Sequence, residues 1–440
     1  MGKIIPLLML LTLFVTLNSC QKNETSSTTS STPTITSFTP TSGSVGTLVT
    51  ITGTNLQSIT ALSIGGVPAT IVSITGSQLV GMVMPGTTTG VISVTSAEGS
   101  SDSKISFTLS STTLPFAQQG SKVVVVTGKS GDQMGGAVAV SADGNTAIVT
   151  LRQSGELVFT RSGTTWSQQG SELITIAVSD SSGRENVVAL SADGNTAIVG
   201  DCWDNHQRGA VWIFTRSGGI WSQQGNKLVG TDNYSHGNQG RSVSLSADGN
   251  TAIVGGYYDN GGIGAAWVYT RTGTSWSQQG SKLVGTGNIG AAKQGSSVSL
   301  SADGNTAIIG GNYDNGGQGA VWAFTRSGAT WSQQGSKFVG TGNTGAAKQG
   351  TAVSLSADGN SAIVGGSYDD WIGAVWVYTR TGTSWSQQGS KLVGTGSVGS
   401  PQLYPVYQGS AVSLSGDGTT AIIGGSGDNH SHGAFWVFVN

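Results

Sequence analysis

The sequence predicts an all-β protein, on three observations. Short apolar runs broken by Gly, Asn, Asp and Ser recur along all 440 residues, and no long stretch carries apolar residues at helical spacing. Seventy residues are glycine, which suits a chain of many tight turns and not one of long helices. The words "SADGNTAIVGG", read from Ser246 to Gly256, return in close variants so that one Asp stands at 143, 193, 248, 303, 358 and 417. Regular repeats of this length mean stacked supersecondary units.

The first element is a leader. Met1, Gly2 and Lys3 form a basic start, and Ile4 to Leu17 is an apolar run too short for a typical membrane span. It ends "LNSC", which resembles a bacterial lipobox. The resemblance implies that residues 1–19 are a lipoprotein signal peptide and that Cys20 receives lipid, which places the protein at the outer membrane or cell surface of a bacterium. Residues 20–32 are polar and tether-like. The second cysteine, Cys202, stands where a sister repeat has Tyr257 and is read as an unpaired packing residue.

Residues 33–110 form the next unit. "LVTITG" and "GVISVT" alternate as strands with one buried face do. "PTITSFTPTSGSVGTLVTITGTNL", "IGGVPAT" and "VMPGTTTGVISVTS" resemble the IPT/TIG family of immunoglobulin-like β-sandwiches, with Pro40, Gly43, Gly46, Gly53, Asn55, Gly65, Gly66 and Pro85 at the family's turn positions. The resemblance implies a binding or spacer module, not an enzyme.

Residues 111–440 hold the six repeats. Each offers four strand candidates, clearest in the fourth copy: "SSVSLS" alternates, "TAIIGG" is continuously apolar as a strand buried on both faces should be, and "GAVWAFTR" and "WSQQGSKFV" follow across a short turn. Asp-Gly between two apolar runs is a hairpin signal. Four antiparallel strands repeated radially make a blade, so the repeats predict a six-bladed β-propeller. "QGSSVSLSADGNTAIIGGNYDNGGQGAVWAFTR", Gln294 to Arg326, also resembles the FG-GAP repeats of integrin-α-type propellers. Calcium-binding members of that family carry more oxygens in a longer loop; one carboxylate in a tight turn falls short of the six to eight oxygens calcium takes. The turns therefore read as structural, with no metal site and no cofactor. The sixth copy ends at its third strand, and "FAQQGSKVVVV", Phe116 to Val126, is a spare fourth strand expected to complete it and close the ring.

Two ends of the propeller follow. One carries the nearly invariant turns "SADGN" and "TRSG", where Arg161, Arg216, Arg271, Arg326 and Arg380 are expected to meet the repeated Asp. The other carries variable loops with the recurrent pairs Trp203–Asp204, Tyr258–Asp259, Tyr313–Asp314 and Tyr368–Asp369, with Asp428 in copy six, and all four histidines, His206, His236, His430 and His432. These aromatic and acidic residues are the candidate ligand-binding set, since variable loops on a rigid scaffold suit recognition. Their other reading is structural: Asp bonding turn amides and Tyr packing on the next blade.

Charged residues are 10% of the chain and the net charge is −2, which excludes the concentrated basic face that nucleic acid needs. No nucleophile–base set, phosphate loop or HExxH motif is present, so no catalytic residue is assigned. The expected function is a lipid-anchored surface protein that binds an extracellular glycan or protein through the propeller, with the sandwich as spacer. The alternative is a carbohydrate-active enzyme, a glycosidase or lyase, with its site at the propeller mouth. Oligomeric state is not legible in the sequence.

Overall fold

The computed structural model describes residues 32–110, 134–151, 155–173, 186–234, 236–399 and 405–439. The expected lipid site at Cys20 and the expected closing strand 116–126 lie outside them.

The N-terminal unit is a two-sheet sandwich. One sheet runs in the order Thr34–Thr39, Leu48–Thr54, Gln78–Met82, Thr70–Ile74, and the other Val67–Pro68, Ala61–Ile64, Ile92–Ser96, Gly99–Asp102. Val49 and Ile51 alternate inward from one sheet, Ile92 and Val94 from the other, and Leu56, Leu79 and Phe107 fill the space between. Gly46, Asn55, Gly65 and Gly66 take left-handed turn conformations, as read. Gly53 does not: it lies inside a strand, and glycine is required there because a Cβ would stand 1.8 Å from the Thr34 carbonyl oxygen.

Six repeats form six antiparallel sheets in strict chain order, each strand pairing with the next. Blades 1 to 5 have four strands. Blade 4 is Gln294–Leu300, Thr306–Gly311, Ala320–Ser327 and Thr330–Gln333; blade 6 has three described strands, Gln408–Leu414, Thr420–Gly425 and Ala434–Val439. The chain is thus all-β, an immunoglobulin-like sandwich followed by repeated sheets in a propeller-like arrangement. Second strands are buried along their whole length in blades 2 to 4. Their terminal glycines follow from packing: a Cβ on Gly311 would lie 2.7 Å from the Trp322 ring, and one on Gly310 would lie 2.3 Å from the Gly350 carbonyl of the next blade. The same approach recurs at Gly256, Gly366 and Gly425 in blades 3, 5 and 6, while blade 2 has Asp201 in that place.

The recurring turn is a closed hydrogen-bond box. In blade 4, the Ser301 hydroxyl donates to Asp303 Oδ1 (2.5 Å) and accepts from Thr306 N (2.9 Å), while Asn305 donates its backbone N to Oδ1 (2.9 Å) and its amide to Oδ2 (3.0 Å). Only the glycine takes the left-handed conformation, with φ +67° at Gly304. Its bare Cα also lets the preceding blade approach, because a Cβ would stand 3.0 Å from that of Thr251. The alanine between Ser and Asp links blades: Ala142 N donates to Ala192 O, Ala192 to Ala247, Ala247 to Ala302, Ala302 to Ala357 and Ala357 to Gly416, at 2.8 to 3.0 Å. One word thus does two tasks, a hairpin turn within a blade and a backbone ladder across blades.

The arginines differ from expectation. Arg271, Arg326 and Arg380 place Nε on the side-chain oxygen of Asn250, Asn305 and Asn360, two residues beyond the repeated Asp, and none of these three guanidinium groups comes within 4.0 Å of that carboxylate. Both Asp oxygens already serve the turn, so the guanidinium takes the exposed amide oxygen. It also lies over the Trp of the fourth strand, as Arg326 does over Trp331 at 5.5 Å. Burial lowers the pKa of these arginines, and the Asp of their own and the preceding blade raise it in part.

Candidate functional site

The sandwich packs on the end that carries the turns. Val72, Met82 and Met84 bury against Ala192 and Ala247, with Ala302 and Ala357 at the edge of the same cluster. Beneath it a cavity of about 410 Å³ is lined by Val45, Gly46 and Met82 from the sandwich and by Ala142, Ala192, Ala247, Ala302, Ala357 and Gly416 from all six blades. The spacer of the sequence reading is a docked cap.

The opposite end carries the variable loops. After each second strand in blades 2 to 6 the chain makes a short turn of three or four residues opened by the candidate acid: Asp204–Gln207, Asp259–Gly262, Asp314–Gly317, Asp369–Trp371 and Asp428–Ser431. The second residue of each takes a left-handed conformation, with φ of 45° to 49° at Asn205, Asn260, Asn315, Asp370 and Asn429; Asn and Asp tolerate this better than most residues. The aromatic precedes the acid and points outward: Tyr258 is 46% exposed, Tyr313 40% and Trp203 37%. Tyr368 is half-buried and packs on Tyr407, with centroids 5.1 Å apart.

The five carboxylates lie below the surface. Asp259 is fully buried; its Oδ1 accepts the Tyr234 backbone N–H (2.9 Å) and its Oδ2 the Lys282 ammonium (2.6 Å). Asp314 holds Ile289 N and Lys337, Asp369 holds Thr344 N and Lys391, Asp204 holds Lys227, and Asp428 accepts Val398 N. Asp259, Asp314 and Asp369 each tie their turn to the loop that precedes their blade's first strand and to the lysine just beyond its fourth strand; among the described residues Asp204 makes only the lysine link and Asp428 only the loop link. Of the candidate pairs, then, the aromatics stand at the surface and the acids serve the frame. His206, His236, His430 and His432 are exposed on this end; His206 and His430 occupy equivalent left-handed positions in blades 2 and 6, and among the described residues no group of three or more His, Cys, Asp or Glu is placed to hold a metal ion. Cys202 is buried, with its carbonyl accepting Asn238 Nδ2.

Two lysines missed by the sequence reading complete the rim. Lys293 and Lys348, each just before the Gln-Gly that starts a blade, are left-handed at φ +57° and +55°. Lys293 Nζ lies 3.7 Å from the Tyr313 centroid and 4.9 Å from that of Tyr258; Lys348 Nζ lies 3.4 Å from Tyr368 and 5.1 Å from Tyr313. The signal was a Lys in the same place of two copies, hidden because other copies have Asn238 and Tyr407 there.

The sandwich's strand order and core leave one question, its family, and a comparison with family models decides it. Residues 33–151 match the IPT/TIG domain. The matched stretch runs past the last strand of the TIG sandwich, Thr108–Leu109, into the first blade. No curated protein matches the chain. Among solved structures it is similar to an auxiliary nutrient binding protein from Bacteroides thetaiotaomicron, at 11% identity and a TM-score of 0.39, covering 92% of this chain and 98% of that one. A second, a protein of unknown function from the same organism, has 12% identity and a TM-score of 0.40, covering 94% and 99%. Among the described residues, no helix is long and apolar enough to cross a membrane.

Proposed function

We propose that this chain is a lipid-anchored surface protein that binds an extracellular glycan on the end of the propeller remote from the TIG domain. The observation that carries this reading is the docking of Val72, Met82 and Met84 over the alanine ring, which covers the end with repeated turns and, among the described residues, leaves the rings of the aromatic end exposed. Exposed rings at Trp203, Tyr258 and Tyr313 suit the apolar faces of sugars, and they stand on turns braced by buried Asp–Lys pairs, so little ordering accompanies binding. Binding is favoured over catalysis because the recurrent acids are identical in role and each is engaged in the frame, which suits no single acid–base pair.

The test is a glycan array probed with the full-length protein and with a Trp203→Ala/Tyr258→Ala/Tyr313→Ala variant. Wild-type binding lost in a variant that melts as wild type supports the proposal. Binding retained in the folded variant moves the ligand to another surface, and a variant that unfolds makes the rings packing residues.

A further inference from the structure

The aromatic end carries two lysines without acids. Lys227, Lys282, Lys337 and Lys391 each have a buried aspartate. Lys293 and Lys348 have none: among the described residues no carboxylate lies within 4.0 Å of either ammonium. Both are nonetheless held in place. Their backbone amides bond to Gly262 O (2.9 Å) and Gly317 O (2.8 Å) of the preceding blade, and their stems run between tyrosines of adjacent blades. The two ammonium groups share the Tyr313 ring, at 3.7 and 5.1 Å from its centroid. An aromatic quadrupole attracts a cation but does not cancel its charge. Two like charges on one ring, with no counter-carboxylate, are an arrangement that an incoming anion relieves.

Resting on the binding reading above, we infer that the ligand is an acidic polysaccharide, whose carboxylates or sulfates meet Lys293 and Lys348 while its sugar faces lie on Tyr258 and Tyr313. The arc Tyr258, Lys293, Tyr313, Lys348, Tyr368 advances one cation and one ring per blade across blades 3 to 5, which suits a polymer with a repeated anion. Nucleic acid calls for a dense basic face, and this chain has a net charge of −2. The buried aspartates offer no oxygen to sugar hydroxyls, so beside the exposed Asn260 and Asn315 amides the two ammonium groups are the charged contacts at the centre of the arc.

The experiment is calorimetry of the full-length protein against polygalacturonate, dextran and a single-stranded DNA oligomer, repeated with Lys293→Gln/Lys348→Gln and Lys293→Arg/Lys348→Arg. Polygalacturonate is expected to bind, more weakly as salt rises, and dextran not to. The Gln pair should weaken binding by on the order of ten-fold or more, the scale of one charge-assisted contact, and the Arg pair should retain most of it. Dextran binding as well as polygalacturonate, or an unaltered affinity in the folded Gln pair, overturns the anionic ligand while leaving the glycan face standing. Equal or tighter DNA binding overturns the polysaccharide. If no glycan binds, the face reading fails as well. Should the Gln pair misfold, the wild-type preference and its salt dependence still decide.

Discussion

Replacing Asp259 by Ala removes one brace of the aromatic end. The carboxylate is fully buried, and Lys282, its partner, keeps only 14% of its side-chain surface. The change strands an ammonium that also donates to Asp232 O and leaves the Tyr234 N–H without its acceptor. Breaking a buried pair by deleting one partner costs about 3–5 kcal/mol, of which the orphaned amide contributes roughly 1–3. At about 2–4 °C per kcal/mol for a large domain, the melting midpoint should fall by roughly 6–20 °C. The assay is thermal and urea denaturation followed by circular dichroism on Asp259→Ala, Lys282→Met and the Asp259→Leu/Lys282→Met double variant. The double variant should lose less than the two single losses added, because no charge is left buried alone. A single variant within 1 kcal/mol of wild type, or strictly additive losses, would refute the brace.

Other expectations follow from the same geometry. Residues 116–126 are proposed as the fourth strand of blade 6: aligning Phe116 with Trp331 sets Lys122 where Lys337 stands, which supplies Asp428 with the lysine its sister acids have, and sets Phe116 beside Gln388, next in the series in which Gln334 accepts Trp385 Nε1. Phe435 and Val439, 69% and 77% exposed on the third strand, are the surface it would help cover. A double-mutant cycle on Lys122→Ala and Asp428→Ala should show coupling, and independent effects would sink the pairing. Asp143 and Asp417 have lowered pKa values: burial raises them, but the Ser141 and Ser415 hydroxyls and the amides of Asn145 and Thr419 outweigh it. A depressed folded-state pKa contributes stability above the ordinary carboxylate value of 3.8 that is lost as pH falls below it, so urea midpoints should hold at neutral pH and drop in acid, less so in Asp143→Asn. Cys20→Ala should move the protein from the membrane to the soluble fraction, and unchanged partition would contradict a lipid anchor.

Much of this architecture is legible in the residues. The Ser-Ala-Asp-Gly-Asn word announces its own hairpin turn, and the run "TAIIGG" announces a strand buried on two faces. Local chemistry of this kind repeats in sequence because it repeats in space. What sequence could not supply were relations between blades. The alanine ladder uses backbone atoms that any residue has. The Lys282–Asp259 brace spans 23 positions, and the lysine sits in "QQGSKLV", where alternation alone makes it a solvent-facing strand residue. The acids were read with the aromatics because they are neighbours in the chain; the left-handed residue that follows each acid sets the turn in which the acid lies inward and the ring outward. The docking of the TIG domain on the alanine end was equally invisible, since Met82 and Met84 read as ordinary strand residues.

The central claim is that ligand binds the open end and not the end under the TIG domain. Hydrogen–deuterium exchange of the full-length protein, with and without the glycan it retains on an array, tests this most directly. The account predicts added protection in peptides spanning 257–263, 288–293, 312–318 and 343–348, with none at the turns around Asp193, Asp248, Asp303 and Asp358. Protection confined to those turns or to the TIG strands would contradict it.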